Sequence, residues 1–413
     1  MKLLHTSDWH LGRTLYGRRR YEEFEAFLNW QVATIKQQGI DVLLIAGDIF
    51  DTTAPSNRAQ QLYYRFLCEV AASDCRHVVI IAGNHDSPSF LNAPRELLLA
   101  LNVHVIGNSA ADLQDEVLLL RDGQGTPELI VCAVPYLRDR DIRQVEAGES
   151  VTDKERKLLD GIRGHYAAVA ELAEQQRASL GVDIPIVATG HLFTAGGQTV
   201  DGDGVRDLYV GSLAHITSGV FAPCFDYVAL GHLHVPQKVN GSEIIRYSGS
   251  PLPMGFGEAR QKKSLCQVTF DMTDTQRRTR VELLDIPVFQ ALERVSGDWA
   301  AISSRLLELA ATNSSAWLEV IYQGEEIITD LREQLDAAIA GTQMEILRVK
   351  NSRIIDRVLG QIHEQETLDD LDVNEVFERC LAQHEVSEEQ RPALLDAYRE
   401  TLRSIHEDDA QAE

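Results

Sequence analysis

The chain of 413 residues carries 39 Lys and Arg against 63 Asp and Glu, a formal charge of −24, and 44% of its residues are hydrophobic. That suffices for two or three domains with substantial cores, while no apolar run approaches the ~18 residues of a membrane span and six scattered cysteines without a Cys-x-x-Cys pair argue against a disulfide frame. The acidic total counts against a nucleic-acid partner only until it is divided: residues 1–285 are net −8 (28 basic, 36 acidic) and residues 286–413 net −16 (11 and 27).

In chain order, apolar periodicity predicts a strand over 2–6, a helix over 20–38, a strand over 41–46, a helix over 57–73 and a strand over 77–82, an α/β alternation. Strands follow over 103–106, 117–121 and 129–134. A charged helix over 153–178 then leads to strands at 184–189, 226–230, 243–248, 265–270 and 279–285. So many strands suit a sandwich of mixed parallel and antiparallel sheets flanked by helices. Near Ile286-Pro287 the pattern restarts as a strand, a helix over 298–311, a strand over 317–323, a helix over 329–340 and a strand over 344–350, a small separate α/β unit. From about 361 the chain holds 4 basic and 16 acidic residues. Even there, Val373, Val376, Phe377, Cys380 and Leu381 share one helix face, and Leu394, Leu395, Tyr398, Leu402 and Ile405 share another behind a Ser387/Gln390 capping box. Two readings stand for this helix pair: packing on its own domain, or docking on a partner. The expected domains are 1–285, 286–352 and 353–413. Because Met1-Lys2 leads directly into a strand ending near Asp8, cleavage of a leader would remove that Asp, and a cytoplasmic, nucleoid-associated location is expected.

Five polar islands follow apolar strands: Asp8-Trp-His10, Gly47-Asp48, Gly83-Asn84-His85-Asp86, Gly190-His191 and Gly231-His232-Leu-His234. In open α/β sheets ligands gather beyond the carboxyl ends of strands, so five such ends can converge although more than 220 residues separate the first from the last. Glycine ahead of the polar residue lets the backbone turn and approach closely. Carboxylate, amide oxygen and imidazole without thiolate favour a borderline-hard divalent ion such as manganese, iron or zinc. Seven ligands exceed the needs of one ion and suit two ions sharing a carboxylate, ~3.5–4 Å apart, the clamp used in phosphoryl displacement. A single strand-end histidine is usually structural, and His5 and His104, which lack this context, are read so. Three basic groups could form a track for DNA: Arg13 with Arg18, Arg19 and Arg20; Arg138, Arg140 and Arg143; and Arg260, Lys262 and Lys263. Such runs are more often solvated surface; the first is the best candidate because it follows the Asp8-Trp-His10 island within ten residues.

In that order the islands resemble the signature of the calcineurin-like metallophosphoesterases. More finely, His5-Thr-Ser-Asp-Trp-His-Leu-Gly12, Ala46-Gly-Asp-Ile-Phe-Asp-Thr52, Gly231-His-Leu-His234 and Arg246-Tyr-Ser-Gly-Ser-Pro251 resemble the SbcD-type nuclease subunits, over essentially the whole chain. The resemblance implies an α/β fold: a phosphoesterase sandwich of mixed β-sheets flanked by helices, a small α/β capping domain that touches DNA, and a C-terminal helical pair. It implies that Asp8, His10, Asp48 and His234 hold one ion and Asp48, Asn84, His191 and His232 the other, with Mn2+ as the expected metal. His85 would contact the scissile phosphate and assist the leaving oxygen. Asp86 either orients that ring or caps the turn, and Asp51 stands where some relatives carry a second active-site histidine. Implied partners are DNA, an SbcC-type coiled-coil ATPase docked by the helical pair, and a second copy through the nuclease domain; no membrane is implied. The implied activity is exonucleolytic on duplex ends and endonucleolytic on hairpin or single-stranded DNA, in end processing, repair and recombination. Without a Gly-x-x-x-x-Gly-Lys-Ser/Thr run, ATP must be bound elsewhere. The alternatives are a nucleotide or phosphoprotein phosphoesterase of the same fold, or a scaffold with a vestigial site.

Overall fold

The computed structural model describes residues 1–142, 150–194, 218–272, 277–324, 328 and 330–351, together with Phe377, Leu381, Arg391, Pro392, Leu394, Leu395 and Tyr398. These fall into two compact units, one of Met1–Leu15 and Arg19–Phe289, the other of Tyr16–Arg18 and the described residues from Gln290 onward.

The first unit holds two six-stranded sheets. Across one, the order is Arg277–Asp285, Ser264–Met272, Lys2–Thr6, Val42–Ala46, His77–Ile81 and Val103–Ile106. Its last four strands are mutually parallel, and Ser264–Met272 joins antiparallel to Lys2–Thr6. Across the other, the order is Gln237–Lys238, Ile245–Tyr247, Tyr227–Gly231, Ile186–His191, Pro127–Cys132 and Val117–Arg121, parallel at its centre and antiparallel at both edges. Strand side chains alternate between faces, and Val42–Ala46 displays the result: Val42, Leu44 and Ala46 join Val131, Val187 and Ala229 in the core shared with the opposite sheet. Leu43 and Ile45 instead face the core formed with helices Tyr21–Gln38 and Asn57–Ala71 through Phe24, Phe27, Tyr63 and Phe66. The second sheet is covered on its outer face by helix Val151–Leu180, whose Ile162, Tyr166 and Val169 pack on Ile130 and Ile186. Strands buried on both faces are apolar throughout, so the sandwich, its mixed pairing and its flanking helices agree with the expectation from sequence.

Differences concern short elements. The strand expected at 243–248 contracts to Ile245–Tyr247, because Asn240 and Gly241, both at positive φ, turn the chain back from a two-residue partner, Gln237–Lys238. Helices Pro88–Asn92 and Arg95–Leu99 escape a periodicity reading because each spans hardly more than one turn.

In the second unit Leu292–Gly297, Trp317–Tyr322 and Glu345–Asn351 form a parallel sheet. Helix Trp299–Ala311, started by Asp298 accepting from the Ala301 N–H, and helix Leu331–Ala338 bury Ile302, Leu306 and Leu335 against Val295, Leu318 and Val320. Glu319, between Leu318 and Val320, is fully buried and is ion-paired to Arg294 (2.5 Å), Lys350 (3.5 Å) and Arg348 (3.6 Å). Of the tail's two apolar faces, Leu381 is buried and the rings of Phe377 and Tyr398 stack at 3.9 Å. Val373, Val376, Cys380, Ser387, Gln390, Leu402 and Ile405 lie outside the described residues, as does Arg143. Among the described residues no helix is long and apolar enough to cross a membrane.

Candidate metal centre

The islands meet where the parallel strands end. The segment after Lys2–Thr6 runs beside the one after Val42–Ala46, laced by the Asp8 N–H to Gly47 O (3.0 Å), the His10 N–H to Asp48 O (3.0 Å) and the Leu11 N–H to Ile49 O (2.9 Å). Four of the seven expected ligands adopt left-handed backbone: Asp8 (φ 54°), His10 (49°), Asp48 (50°) and His232 (100°). Such conformations cost of order 1–3 kcal/mol each and persist where surrounding structure imposes them, typically at functional sites. Gly47 and Gly83 serve a purpose beyond turning: they clear space for the ligands of other islands. A Cβ on Gly47 (φ 87°) would lie 2.3 Å from His191 Nδ1, and one on Gly83 would lie 2.2 Å from Asp48 Oδ1.

Backbone contacts choose which atoms face the centre. Asp48 Oδ1 accepts the His85 N–H (2.9 Å), which directs Oδ2 toward His191 Nε2 (3.2 Å) and His10 Nε2 (3.6 Å). His191 donates Nδ1–H to Ala46 O (3.0 Å), so its Nε2 meets Asp48 and Asn84 Oδ1 (3.0 Å). His10 Nε2 lies 3.2 Å from His234 Nε2, while its Nδ1 lies 3.3 Å from Asp51 Oδ1. Asp8 accepts the His232 N–H on Oδ1 (2.8 Å) and the Ser7 hydroxyl on Oδ2 (2.5 Å). Asp8, His10 and His234 form one group with ligand atoms within 4.8 Å of one another; Asp8, Asp48 and His191 form a second. His85 donates Nδ1–H to Asp51 O (2.8 Å). Asp86 accepts from the Gly83 (2.9 Å), Ile49 (3.1 Å) and Phe50 (3.0 Å) N–H groups, stitching its turn to the Asp48 loop.

The electrostatics call for a cation. Burial pushes Asp8 up to about 6, with His191 opposing and Asp48 adding. Burial also opposes charge on Asp48, but His191, His85 and His10 hold it well below the usual carboxylate range. His191 rises to about 9 against its burial because Asp48 and Asp8 flank it. Burial, followed by the neighbouring His191, depresses His232, and burial followed by His10 depresses His234, leaving both rings neutral and able to ligate. The His232 Nε2 is buried with no hydrogen-bond partner among the described residues, an arrangement proteins avoid unless something else satisfies the atom. With neutral imidazoles, carboxylates and an amide oxygen converging, this residue set fits divalent ions.

The basic track fares less well. Arg20 is 2% exposed: it turns inward to donate to Glu23 Oε1 (3.0 Å) and Oε2 (2.8 Å) and to Pro253 O (2.7 Å), so it is withdrawn from the DNA-facing group. Arg138 and Lys263 are buried too. Arg13 donates to Asp51 Oδ1 (3.2 Å); Arg18, in the second unit, pairs with Glu345 (3.5 Å) and lies over the Trp317 ring; Arg19 is exposed. Sequence reasoning missed the supports behind the ligands. Ser248 lies 2.8 Å from Ser7, and Lys263 reaches the carbonyl of His234 (3.0 Å). The Tyr-Ser-Gly-Ser-Pro segment was the available signal for the first, but Lys263 reads from sequence as part of a basic surface track with Arg260 and Lys262.

A family model described as calcineurin-like phosphoesterase matches residues 1–236, and one described as type 5 capsule protein repressor C-terminal domain matches residues 288–385. The chain is 37% identical over 412 residues to the SbcD subunit of nuclease SbcCD from Escherichia coli (strain K12), with 98% of each chain covered. Proteins of the same name from Rhodobacter capsulatus and Bacillus subtilis (strain 168) are 36% identical over 268 residues and 34% over 267. Those matches cover 62% and 64% of this chain and 64% and 65% of the relatives. The chain thus belongs to the calcineurin-like phosphoesterases and, within them, to the family of SbcD nuclease subunits.

Proposed function

We propose that the chain is the two-metal DNA nuclease subunit of an SbcCD-type complex, cutting duplex ends as an exonuclease and hairpin or single-stranded DNA as an endonuclease. The observation that carries this reading is the position of Asp48 Oδ2 between His191 Nε2 and His10 Nε2, one from each expected ligand set. In this assignment Asp8, His10, Asp48 and His234 hold one ion, Asp48, Asn84, His191 and His232 the other, and manganese is the proposed metal. Bound there, two divalent ions supply charge neutralisation for a phosphodiester and a nucleophile at neutral pH.

The chain's own groups do the rest. Asp48 keeps both ligand sets at one spacing, because its Oδ1 is anchored on the His85 N–H. His191 presents Nε2 because its Nδ1–H is committed to Ala46 O. His85 is assigned to the scissile phosphate: with Nδ1–H donated to Asp51 O, Nε2 is the atom that meets the leaving oxygen, and it passes a proton from the imidazolium form of the ring, leaving neutral imidazole. Asp86 is assigned to holding the His85 turn, and Asp51 to orienting His10. Arg13, Arg18 and Arg19 remain the proposed phosphate contacts.

We assign 1–285 to catalysis, 286–352 to a cap and 353–413 to docking on an SbcC-type ATPase, with a homodimer formed through the nuclease domain; the relatives' shared name supports the complex. One experiment tests the chemistry: labelled hairpin, linear duplex and small phosphate esters are offered with manganese, with and without the ATPase partner and ATP. Cleavage of DNA is expected, and Asp48→Ala should lose both ions and that cleavage. A variant keeping two ions and activity, or a wild type cleaving only small esters, would overturn the assignment.

A further inference from the structure

We infer that Lys263, with Glu258, is a positioning residue for the metal ligand His234. Strand Ser264–Met272 runs antiparallel to Lys2–Thr6, so its first residues lie at the metal-binding end of the sheet. Lys263, immediately before it, does not extend into solvent. Its side chain is 5% exposed, and its ammonium donates to His234 O (3.0 Å), to Ser250 Oγ (3.1 Å) and to the Glu258 carboxylate. Glu258, fully buried, also accepts the Met254 N–H (3.2 Å). Ser250 closes the circuit by donating its own N–H to His234 O (3.1 Å) and its hydroxyl to Leu252 O (2.9 Å).

An ammonium carries three divergent donors, and here three acceptors on three different segments receive them. The segment carrying Ser250 packs directly on His234: Gly249 stands at φ 75°, and a Cβ there would lie 2.7 Å from the His234 carbonyl oxygen. Fixing that carbonyl fixes the backbone on which the His234 ring is mounted, and hence the 3.2 Å approach of its Nε2 to His10. Burying an ammonium and a carboxylate is costly, and an apolar pair of similar volume often serves stability as well or better. Geometry at a ligand is what an apolar pair could not supply. The guanidinium of arginine, a planar fork, does not match three divergent acceptors.

This inference rests on the two-metal reading, and the test separates the two. Manganese is titrated into the full-length protein, with stoichiometry and affinity read by calorimetry and by the electron paramagnetic resonance signal of free Mn2+, and apo-protein melting is recorded alongside. Wild type is expected to bind two ions. Lys263→Met alone strands a buried carboxylate, so the informative variant is Lys263→Met/Glu258→Met, which removes both charges. It should bind the ion held by Asn84, His191 and His232 as wild type does and the ion held by His234 roughly 10- to 100-fold more weakly. Lys263→Arg, which keeps the charge and a partner for Glu258, should show the same selective weakening. A core variant of equal lost melting temperature, Leu67→Ala, should leave both affinities unchanged. Equal weakening of both ions, or none, in the Lys263 variants would overturn the positioning role. A wild type that binds fewer than two ions would instead defeat the two-metal reading, and this inference with it.

Discussion

Asp51 shows how a residue can matter through atoms that sequence does not separate. Its carboxylate lies 3.3 Å from His10 Nδ1 and accepts from Arg13, while its carbonyl oxygen accepts from His85. Substitution removes only the first two contacts. Asp51→Ala is therefore expected to weaken manganese binding roughly tenfold, as loss of a carboxylate behind a ligating histidine does, with cleavage restored at saturating metal because the His85 contact is made by backbone. A defect that metal does not rescue would show that the carboxylate acts on substrate instead. Gly83 makes the opposite case, since its whole contribution is an absent Cβ. Gly83→Ala would drive a methyl to 2.2 Å from Asp48 Oδ1, so the loop must shift, at an overpacking cost of about 1–3 kcal/mol. Its melting temperature should fall modestly while manganese affinity falls at least tenfold; wild-type affinity would mean that the Asp48 loop adapts without loss.

At the level of elements, the long apolar strands were legible because burial on both faces leaves no polar position to confuse the periodicity, as Val42–Ala46 illustrates. The ligands were legible for a related reason: a charged residue ending such a strand needs a compensating partner. What escaped depended on contacts between distant segments. Glu23 lies one turn from Arg20, but nothing near Arg20 says that the carbonyl of Pro253 will meet its guanidinium inside, and nothing near Lys263 announces His234. Glu319 was equally silent in Trp317–Tyr322, where one polar residue in an apolar strand reads as a solvent-facing position. It is instead the buried anion holding Arg294, Arg348 and Lys350 together on the central strand of the second unit's sheet. Glu319→Leu should destabilise that unit by about 1–2 kcal/mol, less than for a fully buried stranded charge, because Arg294, Arg348 and Lys350 are a quarter to a third exposed and keep part of their hydration. Differential scanning calorimetry should show the second unit's transition moving down while that of the phosphoesterase unit stays. If both transitions stay in place, the three cations are adequately solvated without their anion.

Across the whole molecule, the sequence located the acidic excess but not the groups that make folding sensitive to acid. His5 and His104 lie on two strands of the first sheet, outside the metal centre. Burial lowers His5 to about 3, with the backbone contact to Leu230 opposing and Arg246 adding; burial, then His77, lowers His104 to about 4. His5 is fully buried with Nδ1 2.9 Å from the Tyr227 hydroxyl. Both rings titrate near 6.5 when the chain is unfolded. Below that pH the unfolded state takes up protons that the folded state refuses, so stability is full above pH 6.5 and drains away as pH falls toward about 4. His5→Gln/His104→Gln removes both titrations and keeps a polar, neutral side chain. The double variant starts less stable at pH 7.5, since a buried ring is replaced by a narrower chain, but should lose less on transfer to pH 4.5 than wild type does. The metal ligands also respond to acid, Asp48, His232 and His234 losing stability and Asp8 and His191 opposing them, but this acts equally on both proteins and cancels in the comparison. Urea unfolding at the two pH values measures the difference. Parallel losses in variant and wild type would mean that these two histidines open to solvent before the rest of the sheet does.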